Sequence, residues 1–534
     1  MAVPVLVVGL GPVGATLALL LAGQGVPVLA IERETEVYPV ARAVALDDEA
    51  LRVLQAAGVS SASGLDLLVG APVRLRGRSG RTLLQISPPT GLVGHPGLAF
   101  FHQPQLEYRL RDRLAAEPLI ETMLGHEVIA LSDAGGAVSV QTQATGGGRK
   151  LGVRYASYVV GCDGGRSTLR RLLGVRLAGR SAGADWLVVD TESPSGELPG
   201  NDGHAKSFDP HAFEFACDPR RPWVHGPLPG NAHRWEFMLG PQERLAGVVS
   251  PAAVTALLQA RLTAPAPAVL RTAVYTFHAR IALRWRVGRT LLAGDAAHLA
   301  PPFAGQGLGA GLRDAHNLAW KLAAVTQGRA SAGLLDSYPR ERIPHVARMT
   351  ALAAGMGAIV QTRRPWLAAT RDSTMRGLMR TSHVRRWVAS GGWKPPSRIA
   401  RGRLILRHPD HRYRAGEPLP QPRLRADGQP GTLLDDDLGP GFVLLGIGVD
   451  PMACLPAATR RDSLALGVTS AQIGAHGIVE ESDTLATWLH PARIALVRPD
   501  RVIIGTAKDI SGTPALLAAL SQTLTRKPIK PTLR

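Results

Sequence analysis

Gly9, Gly11 and Gly14 stand as G-x-G-x-x-G inside VLVVGLGPVGATLALLLAGQGVPVLAIERE, and Glu32 follows eighteen residues after the last of them. Each residue type has a chemical reason to be there. Gly9 permits a tight turn, Gly11 lets the backbone approach a pyrophosphate, and Gly14 lets a helix lie close on a strand. Pro12 and Val13 open that helix, whose unpaired N–H groups and positive dipole end suit phosphate oxygens. A carboxylate at position 32 can accept hydrogen bonds from both ribose hydroxyls and repels a 2′-phosphate. An adenine dinucleotide without that phosphate is therefore the expected ligand. The competing reading is a glycine turn in an α/β protein that binds no nucleotide.

The glycine motif does not separate FAD from NAD, but two later segments do. In YVVGCDGGRSTLRRLLG a hydrophobic strand, Tyr158 to Val160, runs into Gly161, Cys162, Asp163 and Gly164, followed by a basic helix. In GRTLLAGDAAHLAPPFAGQGLGAGLRDAHNLAWKLA a strand ends at Gly294-Asp295, Pro301-Pro302 break the chain, and a glycine-rich turn from Gly305 to Gly311 opens a helix. A carboxylate at the end of a buried strand is costly unless it meets donors. The hydroxyls of a ribityl chain are such donors. Helix-opening glycines with free N–H groups can meet the electron-rich pyrimidine end of a flavin.

In this order and spacing the three segments resemble the flavin-dependent aromatic hydroxylases of the para-hydroxybenzoate hydroxylase type, over Val3 to about Val346. Pro39-Val-Ala-Arg-Ala, Phe101-His-Gln-Pro-Gln-Leu-Glu, Arg234-Trp-Glu-Phe-Met, Val274-Tyr-Thr-Phe-His-Ala-Arg and Leu335-Asp-Ser-Tyr-Pro-Arg-Glu-Arg look most like the 3-(3-hydroxyphenyl)propionate hydroxylase branch. Its relatives act on polycyclic polyketides, resorcinols and rifamycins. The resemblance implies FAD as cofactor, NADH or NADPH as a transient co-substrate, and O2 and a small phenolic substrate as partners. It implies hydroxylation through a flavin C4a-hydroperoxide. It places Arg42 at the FAD phosphates, Gln103 on the ribityl side, Asp163 in a motif shared by FAD and NAD(P)H binding, and Asp295 on the ribityl chain. Pro302 and the Gly307–Leu308 backbone then sit at the isoalloxazine, with Phe303 beside them. His298 either stabilises the peroxyflavin or caps local backbone. Arg33 and Arg166 are candidate phosphate contacts for the nicotinamide. Relatives usually carry Asn at position 309, where this chain has Gly309, so a side-chain contact or a helix cap is lost there.

The elements that must position these groups read as an α/β protein. A Rossmann-like FAD domain is expected from 1–72, 98–180 and 280–345, and an antiparallel-sheet substrate domain from 73–97 and 181–279. A helical linker is expected over 346–400, and a thioredoxin-like tail over 401–534. The tail lacks a redox Cys pair, so its expected role is structural or in a homodimer. In the substrate domain His204, His211, Phe213, Trp235, Phe237 and Met238 are candidates. Strand alternation puts Trp235, Phe237 and Leu239 on one face and Arg234, Glu236 and Met238 on the other. Either row can be ordinary core.

Composition sets the outer bounds. The 534 residues are 45% hydrophobic and 19% charged, a globular balance that excludes a disordered chain. Cys162, Cys217 and Cys454 lie far apart, with no metal-ligand spacing. Neither a disulfide framework nor a metal site is expected, and the usage suits a reducing cytoplasm. The first thirty-one residues carry no charged side chain, but glycines and prolines interrupt them and no basic region precedes them, so strand–helix–strand is read there rather than a signal or a span. No other segment reads as a membrane span. The net charge of +19 concentrates between Arg363 and Arg414, where fourteen Lys or Arg face only Asp372 and Asp410. A dock for nucleic acid or an acidic membrane would use such a run. No nucleic-acid motif accompanies it, so a linker whose arginines cover acidic neighbours and solvent is the reading adopted.

Overall fold

The structure, a computed structural model, describes all residues except 1–2, 38, 40–41, 61–62, 147–149, 194–207, 241, 244–249, 263–264, 401, 403, 407, 426–430, 475–478 and 526–534. Candidate His204 lies outside the described residues, as do Arg401 and Arg403 of the basic run.

The first sheet is parallel through its centre. Its strands run in the order Thr290–Leu292, Lys150–Gly161, Val3–Val8, Val28–Glu32 and Ile120–Leu124. All four of these pairings are parallel. Apolar residues continue along the central strands because both faces are covered; Val5, Leu6 and Val7 are fully buried. The helices Pro12–Ala22 and Gly307–Thr326 contribute Leu17, Ala18, Leu21, Leu312, Ala315 and Leu318 to this core.

A second sheet of eight strands stands beside the first. Its order is His298–Leu299, Ala268–Ala282, Leu177–Glu192, Ala232–Met238, Trp223–Pro227, Phe213–Ala216, Val73–Arg76 and Thr82–Ile86. It is antiparallel, as expected, except where Phe213–Ala216 pairs parallel with Val73–Arg76. Each face has its own core. One side holds Leu187, Val189, Phe208, Trp223, Trp235 and Phe237 under the helix Pro251–Gln259. The other holds Phe100, Trp186, Phe213, Val224, Phe303 and Val360.

The tail sheet runs Val468–Ile473, Phe442–Ile447, Ile494–Val497, Ile503–Ala507. The first pair is parallel and the next two are antiparallel. The helices Ala457–Ala465, Thr484–Leu489 and Thr513–Thr525 complete a βαβαββα order around this sheet. Cys454 is exposed and unpaired, so this domain carries no dithiol.

Three expectations change. The boundary at 346 falls inside one continuous helix, Ser337–Val360, so the linker does not start there. The same stretch, Ala332–Val360, is long and apolar enough to cross a membrane by length and composition, although the sequence reading saw no second candidate. Here Tyr338, Val346 and Met349 are buried in the protein core, and Glu341 and Arg342 are engaged in ion pairs. The Gly305–Gly311 turn is shorter than expected: the chain turns at Gly305 (φ +62°), and the helix has begun by Gly307. The basic run is partly neutralised, through Arg371–Asp372 within the region, Arg414–Glu417 just beyond its end, and Lys394–Asp47 across to the first domain.

The tail is held by buried charge as well as by the apolar cluster of Trp320, Leu334, Phe442, Leu444 and Leu516. Arg498 is fully buried and pairs with Glu341 at 3.0 Å and with Asp500 at 2.5 Å, while Lys321 Nζ lies 2.8 Å from Glu341. Arg52 forks onto Asp435 at 2.6 and 2.8 Å. Burial raises the Glu341 and Asp500 carboxyls, but Arg498 and Lys321 outweigh it and hold both below the usual range. Arg498→Ala should therefore cost about 3–5 kcal/mol, because it leaves buried carboxylates short of a cation. Because the folded-state values are lowered, this stabilisation is complete above the unfolded carboxyl value of about 4 and is lost as pH falls through the folded values. Thermal melts from pH 7 down to pH 3 should show a smaller acid-dependent loss in Arg498→Ala than in the parent chain.

Candidate active site

The strand Val3–Val8 ends where two neighbours can lock its turn. Gly9 N donates to Ile31 O at 2.8 Å, and Cys162 N donates to Val8 O at 2.8 Å. Gly9 sits at φ +94°, and a Cβ there would come within 2.5 Å of Cys162 O. A Cβ on Gly14 would collide with Gly9 O. Gly11 differs: a Cβ built on it meets nothing within 4 Å. Two of the glycines are thus enclosed by the protein and the third faces open space. The helix Pro12–Ala22 starts there with no side-chain cap, so its first N–H groups stay available to a ligand. Glu32 spends one lone pair on Leu10 N at 2.6 Å and one on Glu34 N at 3.0 Å, and its other lone pairs remain for hydroxyl donors. This cradle fits the phosphates and ribose of a dinucleotide.

The end expected to meet a flavin ring is framed by the turn Gly294–Ala296 and the helix Gly307–Thr326. Asp295 is half-buried, and its carboxylate makes no hydrogen bond among the described residues, which suits a strand-end acid awaiting hydroxyls. Gly294 is buried at φ +59°, packed on Val13 of the first helix. Gly307, like Gly11, has nothing within 4 Å of a built Cβ. Pro302 is exposed, and Phe303 is buried against Trp186 and Phe277, with both centroid distances 5.6 Å. Phe303 therefore forms the apolar wall rather than a reacting group.

Several assignments change. His298 is 1% exposed, stacked on Trp285, with Nε2 2.7 Å from Asp314 Oδ2. No open face is left for it to reach an oxygen species. It holds Asp314, which in turn accepts from Gly294 N at 3.2 Å and from Arg342 Nε at 2.8 Å. The backbone-capping alternative is nearer, acting through Asp314. Asp163 bonds Ser167 Oγ and Leu169 N, so it caps its own helix, Thr168–Leu172. Gln103 Oε1 accepts from Arg42 N and Ala43 N, both at 2.8 Å, and its amide donates to Glu107. It shapes the Arg42 segment rather than standing free for a ligand. Arg42 and Arg166 are exposed, and Arg33 pairs with Glu34 on the surface. The space beside Gly309 is taken by Arg313, whose Nη1 would lie 2.9 Å from a Cβ at that position.

On the second sheet the two rows of Ala232–Met238 part company. Trp235 and Phe237 point to the core under Pro251–Gln259, away from Phe303, because their neighbours Leu187, Val189 and Phe208 lie on that side. They are structural. Met238 registers with Trp186, which touches Phe303, so the row Arg234, Glu236, Met238 faces the flavin end. Phe213 is on this face too, stacked on Phe100 at 4.9 Å. His211 is exposed in the preceding turn, its N–H bonded to Asp209, and is not part of the pocket.

Sequence reading passed over Asp314, Arg342, Phe100, Trp186 and Phe277. Asp314 and Arg342 sit among other charged residues of their helices (Arg313 and Lys321, Arg340 and Glu341), so no local signal sets them apart. Arg170 was quoted as part of a basic helix. It is buried and donates to Ala296 O and Gly165 O, tying the Asp163 loop to the Asp295 turn.

Comparison with known proteins decides the family. Residues 2–353 match the FAD binding domain family, and residues 416–523 match the HcaD C-terminal domain. The chain belongs to the flavin-dependent aromatic hydroxylases. It is 35% identical to the 3-(3-hydroxy-phenyl)propionate/3-hydroxycinnamic acid hydroxylase 2 of Burkholderia vietnamiensis (strain G4 / LMG 22486), over 97% of this chain and 96% of that protein. Identity is also 35% to the corresponding hydroxylase of Mycolicibacterium smegmatis (strain ATCC 700084 / mc(2)155), over 97% and 93%. Among solved structures, aklavinone-11 hydroxylase in ternary complex with FAD and aklavinone aligns with a TM-score of 0.77 at 25% identity, covering 98% of this chain and 99% of that one. The anhydrotetracycline hydroxylase OxyS from Streptomyces rimosus aligns at 0.75 and 26%, with the same coverage. FAD is thus this hydroxylase's cofactor, and the cradle described above fits it.

The glycine geometry separates fold from ligand. Gly11→Ala in the apoprotein should melt within about 0.5 kcal/mol of the parent, yet bind FAD at least about tenfold more weakly. Gly14→Ala should lose about 1–3 kcal/mol without any cofactor present, through overpacking. Melting curves of both apoproteins, followed by FAD titration, check the pair.

Proposed function

We propose that this chain uses NADH or NADPH, O2 and FAD to hydroxylate a small phenolic ring of the hydroxyphenylpropionate kind. The observation that carries the reading is 35% identity along nearly the whole chain to hydroxylases of that name, against 25–26% to the polyketide-ring hydroxylases. The aromatic inner face of Phe100, Trp186, Phe213, Phe277 and Phe303 supports an apolar ring as the substrate.

In this reading Gly9 to Gly14, Pro12 and Val13 hold the pyrophosphate, Glu32 the adenosine ribose, and Arg42 the phosphate side. Asp295 holds the ribityl hydroxyls. Pro302, Gly305, Gly307 and Leu308 meet the ring. Bound FAD supplies hydride acceptance and oxygen activation. The protein's own work is orientation and dryness. Phe303, Trp186 and Phe277 close the wall against water, and the Asp314 network keeps the Gly294–Asp295 turn and the helix N-terminus at fixed spacing. The exposed Arg33 and Arg166 are the contacts assigned to the transient nicotinamide phosphates.

A true substrate should speed anaerobic reduction at least about tenfold, equal to about 1.4 kcal/mol of barrier, by binding more tightly to a state in which the nicotinamide reaches the flavin. Stopped-flow reduction by NADH and by NADPH, with and without a phenol panel, measures this, and product mass completes the test. A gain of 16 mass units marks hydroxylation. A gain of 2 marks a reductase on the same scaffold and refutes the proposal, as does reduction equally fast without any phenol.

A further inference from the structure

The inner row of Ala232–Met238 spans the gap between the sheet and the flavin domain. At one end Met238 registers with Trp186, which packs on Phe303. At the other, Arg234 donates through Nη1 to Arg42 O at 3.2 Å and forks through Nε and Nη2 onto Asp190 at 2.8 and 2.9 Å. Glu236 stands midway. Its cross-strand neighbours are Val188 and Val224, so it has an aliphatic group on each side. It is partly buried, and among the described residues its carboxylate has no hydrogen-bond partner.

This contrasts with the other buried acids, which all have hydrogen-bond donors: Glu107 accepts from Gln103 and Glu480 from Leu485 N. Asp190, Asp314, Glu341 and Asp435 each meet at least one arginine. A carboxylate between valines without a donor is costly, and the cost falls only when a donor arrives. Glu236 thus shares one sheet face with Met238, which registers with Trp186 on the Phe303 wall, and with Arg234, which bonds the Arg42 segment.

Resting on the hydroxylase reading above, we propose that Glu236 is the acceptor for the substrate's phenolic hydroxyl and the base that takes its proton. The phenol O–H bond breaks, its electron pair stays on the ring oxygen, and the proton forms an O–H bond on Glu236. The ring is left as the electron-rich phenolate, and the proton returns to solvent after product leaves. The substrate class this selects is an aromatic ring with a free hydroxyl, not its ether.

The charges facing Glu236 are few. Arg234 precedes it on its own strand, Asp190 lies on Leu177–Glu192, and Arg271 and Tyr275 lie on Ala268–Ala282, with His102 near the same ion pairs from the flavin domain. Burial pushes the Glu236 carboxyl up, and Asp190 adds to this, against the opposing pull of Arg234 and Arg271. A raised value brings a carboxylate closer to the range useful for a general base.

The test uses the FAD-loaded enzyme and Glu236→Gln, which keeps shape and removes the charge. Flavin absorbance, FAD affinity and melting temperature should match the parent. Equilibrium affinity for the phenol found active in the parent should fall about 10- to 150-fold, the range for losing a hydrogen bond to a charged acceptor. Affinity for the matching aryl methyl ether should be equally weak in both proteins. In the parent, product formation should rise with pH through the Glu236 titration, and this limb should vanish in Glu236→Gln. Unchanged phenol affinity together with an unchanged pH profile would overturn the role of Glu236 and leave the hydroxylase reading standing. If the parent itself oxygenates no phenol, the hydroxylase reading fails, and this proposal with it.

Discussion

The Asp314 carboxylate, fully buried and bonded at once to His298, Arg342 and Gly294 N, is the constraint on which the site depends. An isolated carboxylate could not stay charged there. With burial outweighed by His298 and Arg342, it is held below the usual carboxyl range and remains anionic. The consequence is geometric. The turn bearing Asp295 comes from a strand, and the glycines that open the helix lie two turns before Asp314. One acid therefore sets the distance between a group expected at the ribityl chain and groups expected at the ring system of the same cofactor.

The same helix, Gly307–Thr326, carries the other joints of the molecule. Arg313 reaches Asp47 and Glu49 near the start of Asp48–Ala56. Asn317 donates to Glu341 and Asp500, Lys321 pairs with Glu341, and Trp320 enters the tail core. Buried ion pairs of this kind add little net stability over apolar packing, but they are unforgiving of displacement. They fix register between domains whose apolar contacts alone would tolerate sliding. Arg498 and Asp500 form the tail's side of that joint.

How much of this could be read from sequence follows from which physics is local. The nucleotide turn was legible because each glycine answers a local demand, and Gly9, Gly11 and Gly14 stand where that logic puts them. Glu32 ends its strand as expected. The parallel sheet and the tail strands were legible from apolar runs. Asp314 was not, since a lone acid in a helix reads as solvent-facing until the partners sixteen and twenty-eight residues away are known. Gly309 was seen as a lost side chain. That Arg313, one turn later, fills the space could be known only from the fold.

The second sheet shows a different limit. Alternation divided Arg234 to Leu239 into two faces correctly, yet could not say which face met the flavin domain, because both are buried and aromatic residues sit on each. The helix Pro251–Gln259, later in the chain, decides it by covering Trp235 and Phe237. What then distinguishes the functional face is not hydrophobicity but electrostatic bookkeeping. The buried frame leaves Asp190, Asp314, Glu341 and Asp435 each matched to a cation, whereas Glu236 on the inner row and Asp295 at the strand end have no hydrogen-bond partner among the described residues. A folded chain tolerates such acids where a ligand supplies the missing donors. Glu236 lies on the sheet face that also carries Trp186, and Asp295 lies on the turn beside the helix-opening glycines, so the two unmatched acids belong to different domains of the frame.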